Sequence, residues 1–304
     1  MKPRRSVLSV PGHVEKMHLK ANQTVADNIM LDLEDSVPPD HKESARNTII
    51  KSLKNTDWKE KQLSVRINGL DTPFAYKDII AVVESAGNLL DTIVIPKVQN
   101  AGDVCFVSRL LDGIEMHMGF KNTIGIEASI ETAEGLNQVE SIARASNRLK
   151  TLVFGIADFS ASIGARLVSI SGHGEAESEI YPGHRWHYAL SRMVVAGKAN
   201  GLLVIDAPYG NYSDQPGLED SARKASALGC DGKWAIHPSQ IDTINMVFSP
   251  STEEIERALR IVQAHTDAES GGLGAVALDG RMVDRATIRM ARNLLDNARY
   301  LKLI

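Results

Sequence analysis

Short apolar runs, rich in β-branched residues, recur along the chain, and most are followed by a polar break and a segment with helical spacing. Residues 5–10 form the first run. Pro11-Gly12 ends it, and residues 13–22 then put Val14, Met17 and Ala21 on one helical side. Residues 28–33 form the second and lead into an acidic cluster of Asp32, Glu34 and Asp35. A helix over 41–53 follows Pro38-Pro39, where proline suits a helix start. Strands at 63–67 and 92–98 alternate with helices at 74–86 and 101–118. A fifth run (Thr123, Ile124, Ile126) and a sixth (Leu152, Val153, Phe154) each lead to a carboxylate, Glu131 and Asp158, at the start of a helix-forming segment. Runs at 202–207 and 234–236, with a helix over 217–228 between them, complete eight units. Eight units in about 245 residues is the rhythm of a (β/α)8 barrel.

The runs read as continuous rather than alternating, as expected of parallel strands covered on both faces. The fold class is therefore α/β: a (β/α)8 TIM barrel over residues 1–250, with a C-terminal helical extension and lid segment over 251–304. In the extension a helix at 252–266, a glycine-rich link (Gly271, Gly272, Gly274) and a last helix at 287–301 must pack on the barrel or on a neighbouring subunit. An eight-stranded doubly wound sheet is the alternative, but no G-x-G-x-x-G follows the first strand. Residues 166–183 are a polar insertion after the sixth strand.

Composition narrows the class without choosing a chemistry. The chain is 43% hydrophobic and 24% charged with formal net charge −4, an ordinary soluble balance. This gives no support for a nucleic-acid or polyanion partner. Nothing is long enough to span a membrane, and the basic, then apolar, N-terminus stops short of a signal peptide at Pro11-Gly12. Cys105 and Cys230 fit no metal or redox spacing, so a reducing cytoplasm is the expected location.

In such a barrel, catalytic side chains come from the C-terminal ends of several strands. Those ends carry Asp32, Glu34, Asp35, Arg66, Asn68, Lys97, Glu131, Asp158, Asp206 and His237. Glu131 and Asp158, at matched positions beside small residues, suit a Mg²⁺ that keeps positions open for water or substrate. The plainer reading is that each opens a helix and offsets its dipole. Arg66 in a buried strand needs an anionic partner. The plain partner is Asp32, Glu34 or Asp35. A substrate carboxylate or oxyanion, gripped by the planar guanidinium, is the favoured one. Lys97 and His237 suit structural roles, as salt-bridge partner and satisfied core histidine. A Schiff-base role for Lys97 is disfavoured by the carboxylate pair, and no Ser-His-Asp set with a nucleophile elbow occurs.

RSVLSVPG at the start, LDLEDSV at 31–37, VRIN at 65–68, IPK at 95–97, IETAEG at 130–135, FGIADFSASIG at 154–164 and IHPSQI at 236–241 together resemble the citrate-lyase β-subunit-like branch of the HpcH/HpaI aldolase superfamily. Within it, the segment RWHYALSRMVVAGKANGLLVIDAPYG and the tail VALDGRMVD are most similar to L-malyl-CoA/β-methylmalyl-CoA lyases. The resemblance implies a Mg²⁺-dependent (or Mn²⁺-dependent) TIM-barrel enzyme that cleaves or forms a 3-hydroxyacyl-CoA thioester, with acetyl-CoA and glyoxylate as products. It further implies a homotrimer or hexamer whose C-terminal segment covers a neighbour's site. By the same resemblance Glu131 and Asp158 are the metal ligands, and Arg66 polarises the oxo-acid end. Glu34 and Asp35 lie near the metal-bound water or substrate, and Asp279 is the catalytic carboxylate of the lid. Arg5, Lys16 and Lys20 turn toward coenzyme A. Alternatives are a citramalyl-CoA lyase releasing pyruvate, a malyl-CoA thioesterase, or a citrate lyase β subunit acting on an acyl carrier protein. A non-enzymatic binding role fits least.

Overall fold

A computed structural model describes residues 3–170, 172–175, 183–270 and 276–304. The expected glycine-rich link and part of the insertion, residues 171 and 176–182, lie outside the described residues. The described residues divide into two compact units, residues 4–245 and those from 246 onward.

Eight parallel strands close the first unit into a barrel: β1 (Ser6–Pro11), β2 (Asn28–Asp32), β3 (Gln62–Arg66), β4 (Thr92–Ile95), β5 (Gly125–Ile130), β6 (Leu149–Phe154), β7 (Leu203–Asp206) and β8 (Gly232–Ala235). The doubly wound alternative is thereby excluded. Between the strands run α1 (Glu15–Asn22), α2 (Lys42–Asn55), α3 (Ala75–Ala86), α4 (Ala101–Met118), α5 (Ala133–Asn137), α6 (Val139–Ala143), α7 (Ile156–Ser162), α8 (His187–Ala199) and α9 (Gln215–Leu228). Local chemistry sets their ends. Asn100 and Asp103 form a capping box at the start of α4, and Gly119 ends that helix in the left-handed region.

The inward positions of the strands are not uniformly apolar, which corrects the reading of continuous runs. On β2, Asn28, Met30 and Asp32 share a face, as do Glu127 and Ser129 on β5, followed by Glu131. These positions stack into layers. At the floor Arg4 pairs with Glu127, which also accepts from Thr92, while Ser64 donates to Asn28. The waist is apolar: Val7, Met30, Val94, Val153, Ile205 and Trp234 form one buried cluster. The charged roof is the candidate site. The alternate positions, such as Ile29, Leu31, Ile93, Ile95, Ile126 and Leu152, are buried as well, facing the helices.

In the second unit α11 (Thr252–Ser270) packs on α12 (Arg285–Tyr300) through Ile255, Ala258, Ala291, Leu295 and Ala298. (Helix α10, Ile241–Val247, runs across the boundary between the two units.) Between α11 and α12 lies a hairpin of β9 (Val276–Leu278) and β10 (Arg281–Val283). Asp279 and Gly280 make its two-residue turn with φ 51° and 71°. Asp-Gly with both residues at positive φ is the preferred chemistry of a tight hairpin turn, a signal that was present in the sequence.

Barrel closure depends on Gly232, where β8 passes β1. A Cβ there would overlap the carbonyl oxygens of Arg4 and Arg5, which are backbone atoms with no room to yield. Gly232→Ala is expected to destabilise the protein by about 1–3 kcal/mol, the range for overpacking. Denaturant unfolding with an unchanged midpoint would show that the closure is not tight.

Candidate active site

Strand register builds the roof. Asp32 and Arg66 are the last residues of adjacent strands and stand in register. The guanidinium forks onto Asp32, with Nε at 2.6 Å from Oδ1 and Nη2 at 2.7 Å from Oδ2. Its remaining edge faces Glu34, Nη1 to Oε2 being 2.9 Å, and its plane lies 5.5 Å from the centre of the Trp234 ring. The plain partner of Arg66 is thus realised inside the protein. A protein carboxylate takes its fork, because two strand ends in register bring opposite charges together.

Glu131 follows β5 directly. Its plainer reading as a helix opener is overturned, since the next residue, Thr132, caps α5 by accepting from Gly135 N–H. Glu131 is released to point over the barrel, where its Oε1 accepts from the Lys97 backbone N–H at 2.8 Å. It passes so close to Gly155 that a Cβ there would overlap its Oε2 and Cβ. Asp158 sits in the first turn of α7, so for this residue the plainer dipole reading holds. Lys97, left-handed at φ 50°, sends its ammonium to Glu34 Oε1 at 2.5 Å and to Asp35 and Asp158 at 3.6 Å each. Its salt-bridge role stands, and it is a member of the site.

Asp32, Glu34, Asp35, Glu131 and Asp158 therefore crowd around the ion-paired Arg66 and Lys97, leaving negative charge in excess. Burial acts first on each enclosed acid. It pushes Asp32 up, but the charge and hydrogen bonds of Arg66, with Ser36 and the Glu34 N–H, outweigh it and hold that carboxyl at about 2. Burial raises Glu34, with Arg66 opposing. Glu131 is pushed up to about 7 by burial and then by the Glu34 charge, against Arg66 and the Lys97 N–H. Oε2 of Glu34 is buried against the Arg66 guanidinium. Excess negative charge, a buried carboxylate pushed out of its normal range and an all-oxygen donor set fit a hard divalent cation. Among the described residues no three His, Cys, Asp or Glu are arranged to hold a metal. Two carboxylates, Glu131 and Asp158, would hold it, with water and substrate oxygens completing the shell as Mg²⁺ prefers.

Other expected residues stand apart. Arg5 precedes β1, at the opposite end of the barrel, and forks onto Asp27 at 2.7 and 2.9 Å. Lys16 and Lys20 are exposed on α1. Asn68 is tied to Asp78. His237 is no core histidine: it is exposed, stacks on Tyr212 and accepts from Ser239 N–H as a cap. Asp206 pairs with the buried Lys233 at 2.5 Å, lining a cavity of about 270 Å³ with Trp186 and Tyr209. Asp279, in the second unit, has both oxygens 2.7 Å from Arg260 Nη2. Sequence reading left Asp32 as one of three plain partners of Arg66 without choosing it, and missed Lys42, whose Nζ donates to the carbonyls of Leu33 and Glu34 at 2.7 Å each. Aligning the strand ends would have found the first.

The raised Glu131 sets a pH dependence. Its folded pKa of about 7 lies above the unfolded value of 4.5, so the unfolded chain loses this proton first as pH rises. This contribution to stability is full below 4.5 and is lost between 4.5 and about 7. Metal-free protein is expected to lose up to about 3 kcal/mol across that window, and Glu131→Gln to flatten the loss. Identical pH profiles for the two proteins in denaturant titrations would contradict the assignment.

Comparison with known proteins places these residues in a family context. Residues 5–238 match the HpcH/HpaI aldolase/citrate lyase family. The chain is 42% identical to the L-malyl-CoA/β-methylmalyl-CoA lyase of Cereibacter sphaeroides over 98% of its own length and 95% of that protein. It is 37% identical to the malyl-CoA/β-methylmalyl-CoA/citramalyl-CoA lyase of Chloroflexus aurantiacus, covering 99% of this chain and 89% of the other. Among solved structures it resembles the CitE protein of Mycobacterium tuberculosis, crystallised with magnesium, acetoacetate and coenzyme A. The TM-score is 0.78 and the identity 27%, over 98% of both chains.

Proposed function

The chain belongs to the HpcH/HpaI aldolase/citrate lyase family, and from that premise we propose that it is a divalent-metal-dependent carbon–carbon lyase. The substrate proposed is L-malyl-CoA, split reversibly into acetyl-CoA and glyoxylate, with β-methylmalyl-CoA giving propionyl-CoA and glyoxylate. The supporting observation is the gathering of Glu131, Asp158, Glu34 and Arg66 at one barrel edge, in a chain so similar to malyl-CoA lyases along nearly its whole length.

In cleavage the bond between the carbinol carbon and the thioester α-carbon breaks. The hydroxyl loses its proton and becomes the aldehyde of glyoxylate, and the α-carbon leaves as an enolate that takes up a proton. Mg²⁺ or Mn²⁺ held by Glu131 and Asp158 would supply Lewis-acid charge to the oxo-acid oxygens. Arg66, locked by Asp32, offers a fixed positive charge beside the developing alkoxide, and being pre-aligned it needs no reorganisation. Glu34, whose proton affinity burial raises, is the candidate to take the hydroxyl proton, with Asp35 beside it at the exposed rim. Asp279 is proposed to protonate the enolate. Lys16 and Lys20 are the candidates for the phosphates of coenzyme A, and the pairing of Arg5 with Asp27 argues against a like role for Arg5.

We also propose a homo-oligomer, trimer or hexamer, in which residues 251–304 of one subunit serve the barrel of another. A cytoplasmic location is in keeping with two free cysteines. Among the described residues no helix is long and apolar enough to cross a membrane.

The decisive assay offers purified protein malyl-CoA, citramalyl-CoA and citryl-CoA, and measures free acetyl-CoA and the released oxo acid. Glyoxylate from malyl-CoA is expected. Pyruvate from citramalyl-CoA alone would move the assignment to the citramalyl-CoA activity that the Chloroflexus relative's name includes, and free malate with coenzyme A would make it a thioesterase. Chelation, Glu131→Ala and Asp158→Ala should each nearly abolish turnover. Arg66→Lys keeps the charge but loses the fork, and should raise the barrier by about 2–4 kcal/mol. An unchanged kcat in that variant would remove Arg66 from the mechanism. Mixing Asp279→Ala with Glu131→Ala subunits should restore part of the activity if sites are shared. No recovery, with exchange confirmed by mass, would rule out the shared site.

A further inference from the structure

Lys97 is in contact with four of the five carboxylates of the roof, Asp32 being taken by Arg66. Its ammonium is 2.5 Å from Glu34 and 3.6 Å from both Asp35 and Asp158, while its backbone N–H donates to Glu131 at 2.8 Å. The two contacts diverge from one residue because its backbone is left-handed, at φ 50°. A lysine adopts that conformation at a cost, which the four carboxylates offset here. The side chain is about a third exposed, on a flexible four-carbon stem, and Asp35 lies at the exposed rim. The ammonium thus has somewhere to withdraw to when another cation arrives.

We infer that Lys97 is a positioning residue that serves as the resident cation of the metal-free site, holding the carboxylates together and competing with a divalent ion for them. This rests on the reading of Glu131 and Asp158 as metal-holding. The ammonium limits repulsion among acids that would otherwise push apart. The same charge opposes an incoming divalent cation, so Lys97 lowers metal affinity while keeping the site assembled. Its backbone N–H acts separately, fixing one oxygen of Glu131.

Two variants separate the charge from the backbone. Lys97→Gly suits the left-handed conformation and keeps the N–H, while Lys97→Met keeps the stem; both remove the charge. Metal-free proteins would be titrated with Mn²⁺, following bound ion by electron paramagnetic resonance, and melted with and without it. Both variants should bind Mn²⁺ about tenfold or more tightly, as expected from removing a charge this close. Both should melt lower than the unaltered protein without metal, with the gap narrowing at saturation. A lysine that merely props up the loop would weaken binding instead. Equal or weaker Mn²⁺ affinity in the variants, with clear binding by the unaltered protein, overturns the inference and leaves the lyase reading intact. If the unaltered protein binds no Mn²⁺, the metal site falls and the inference with it.

Discussion

Negative charge enclosed at the top of the barrel is the constraint on which the rest of the structure depends. Breaking a buried ion pair leaves an uncompensated charge, which is far costlier than never having buried it. Asp32 and Arg66 settle part of this by a two-bond fork between adjacent strand ends. With Arg66 so occupied, Glu34 and Glu131 are enclosed with too little positive charge, and burial raises both. The roof keeps negative charge in excess, which suits the divalent cation proposed for it. That excess separates the candidate catalytic layer from a packing layer.

The floor of the barrel shows the contrast. There Arg4 meets Glu127 and Gln62, and Thr92 donates to the same glutamate. Charge is balanced residue for residue, as suits the stability face of such a barrel. The apolar waist between, from Val7 to Trp234, keeps the two charged layers apart. It also gives the roof a low-dielectric base, on which a fixed guanidinium acts more strongly than it would in water. Small residues complete the arrangement. Gly155 leaves the space through which Glu131 reaches the roof, and Thr132 relieves Glu131 of capping duty.

Much of this was legible in the chain. The strand-then-helix rhythm predicted eight units, and all eight strands lie within a few residues of the expected runs, because strand pattern is a local property. Glu131, Asp158 and the acids after β2 could be assigned to one edge, since parallel strands put all their C-terminal ends on one side. The family too was readable, from motifs spread over the whole barrel. The inward polar positions were not: apolar residues facing the helices made the runs look continuous, and only barrel closure shows that their alternates face a charged interior.

What the sequence by itself determined, then, was which residues stand at which edge, because chain order and side-chain alternation carry that information. Tertiary structure alone decided their partners. Register gave Arg66 to Asp32. A left-handed backbone at Lys97 turned an expected structural salt bridge into the hub of four carboxylates. Arg5 fell at the opposite end of β1, and His237 became an exposed cap. Each outcome is a distance between residues far apart in the chain, and electrostatic energy depends on that distance and on burial, neither of which a local pattern contains.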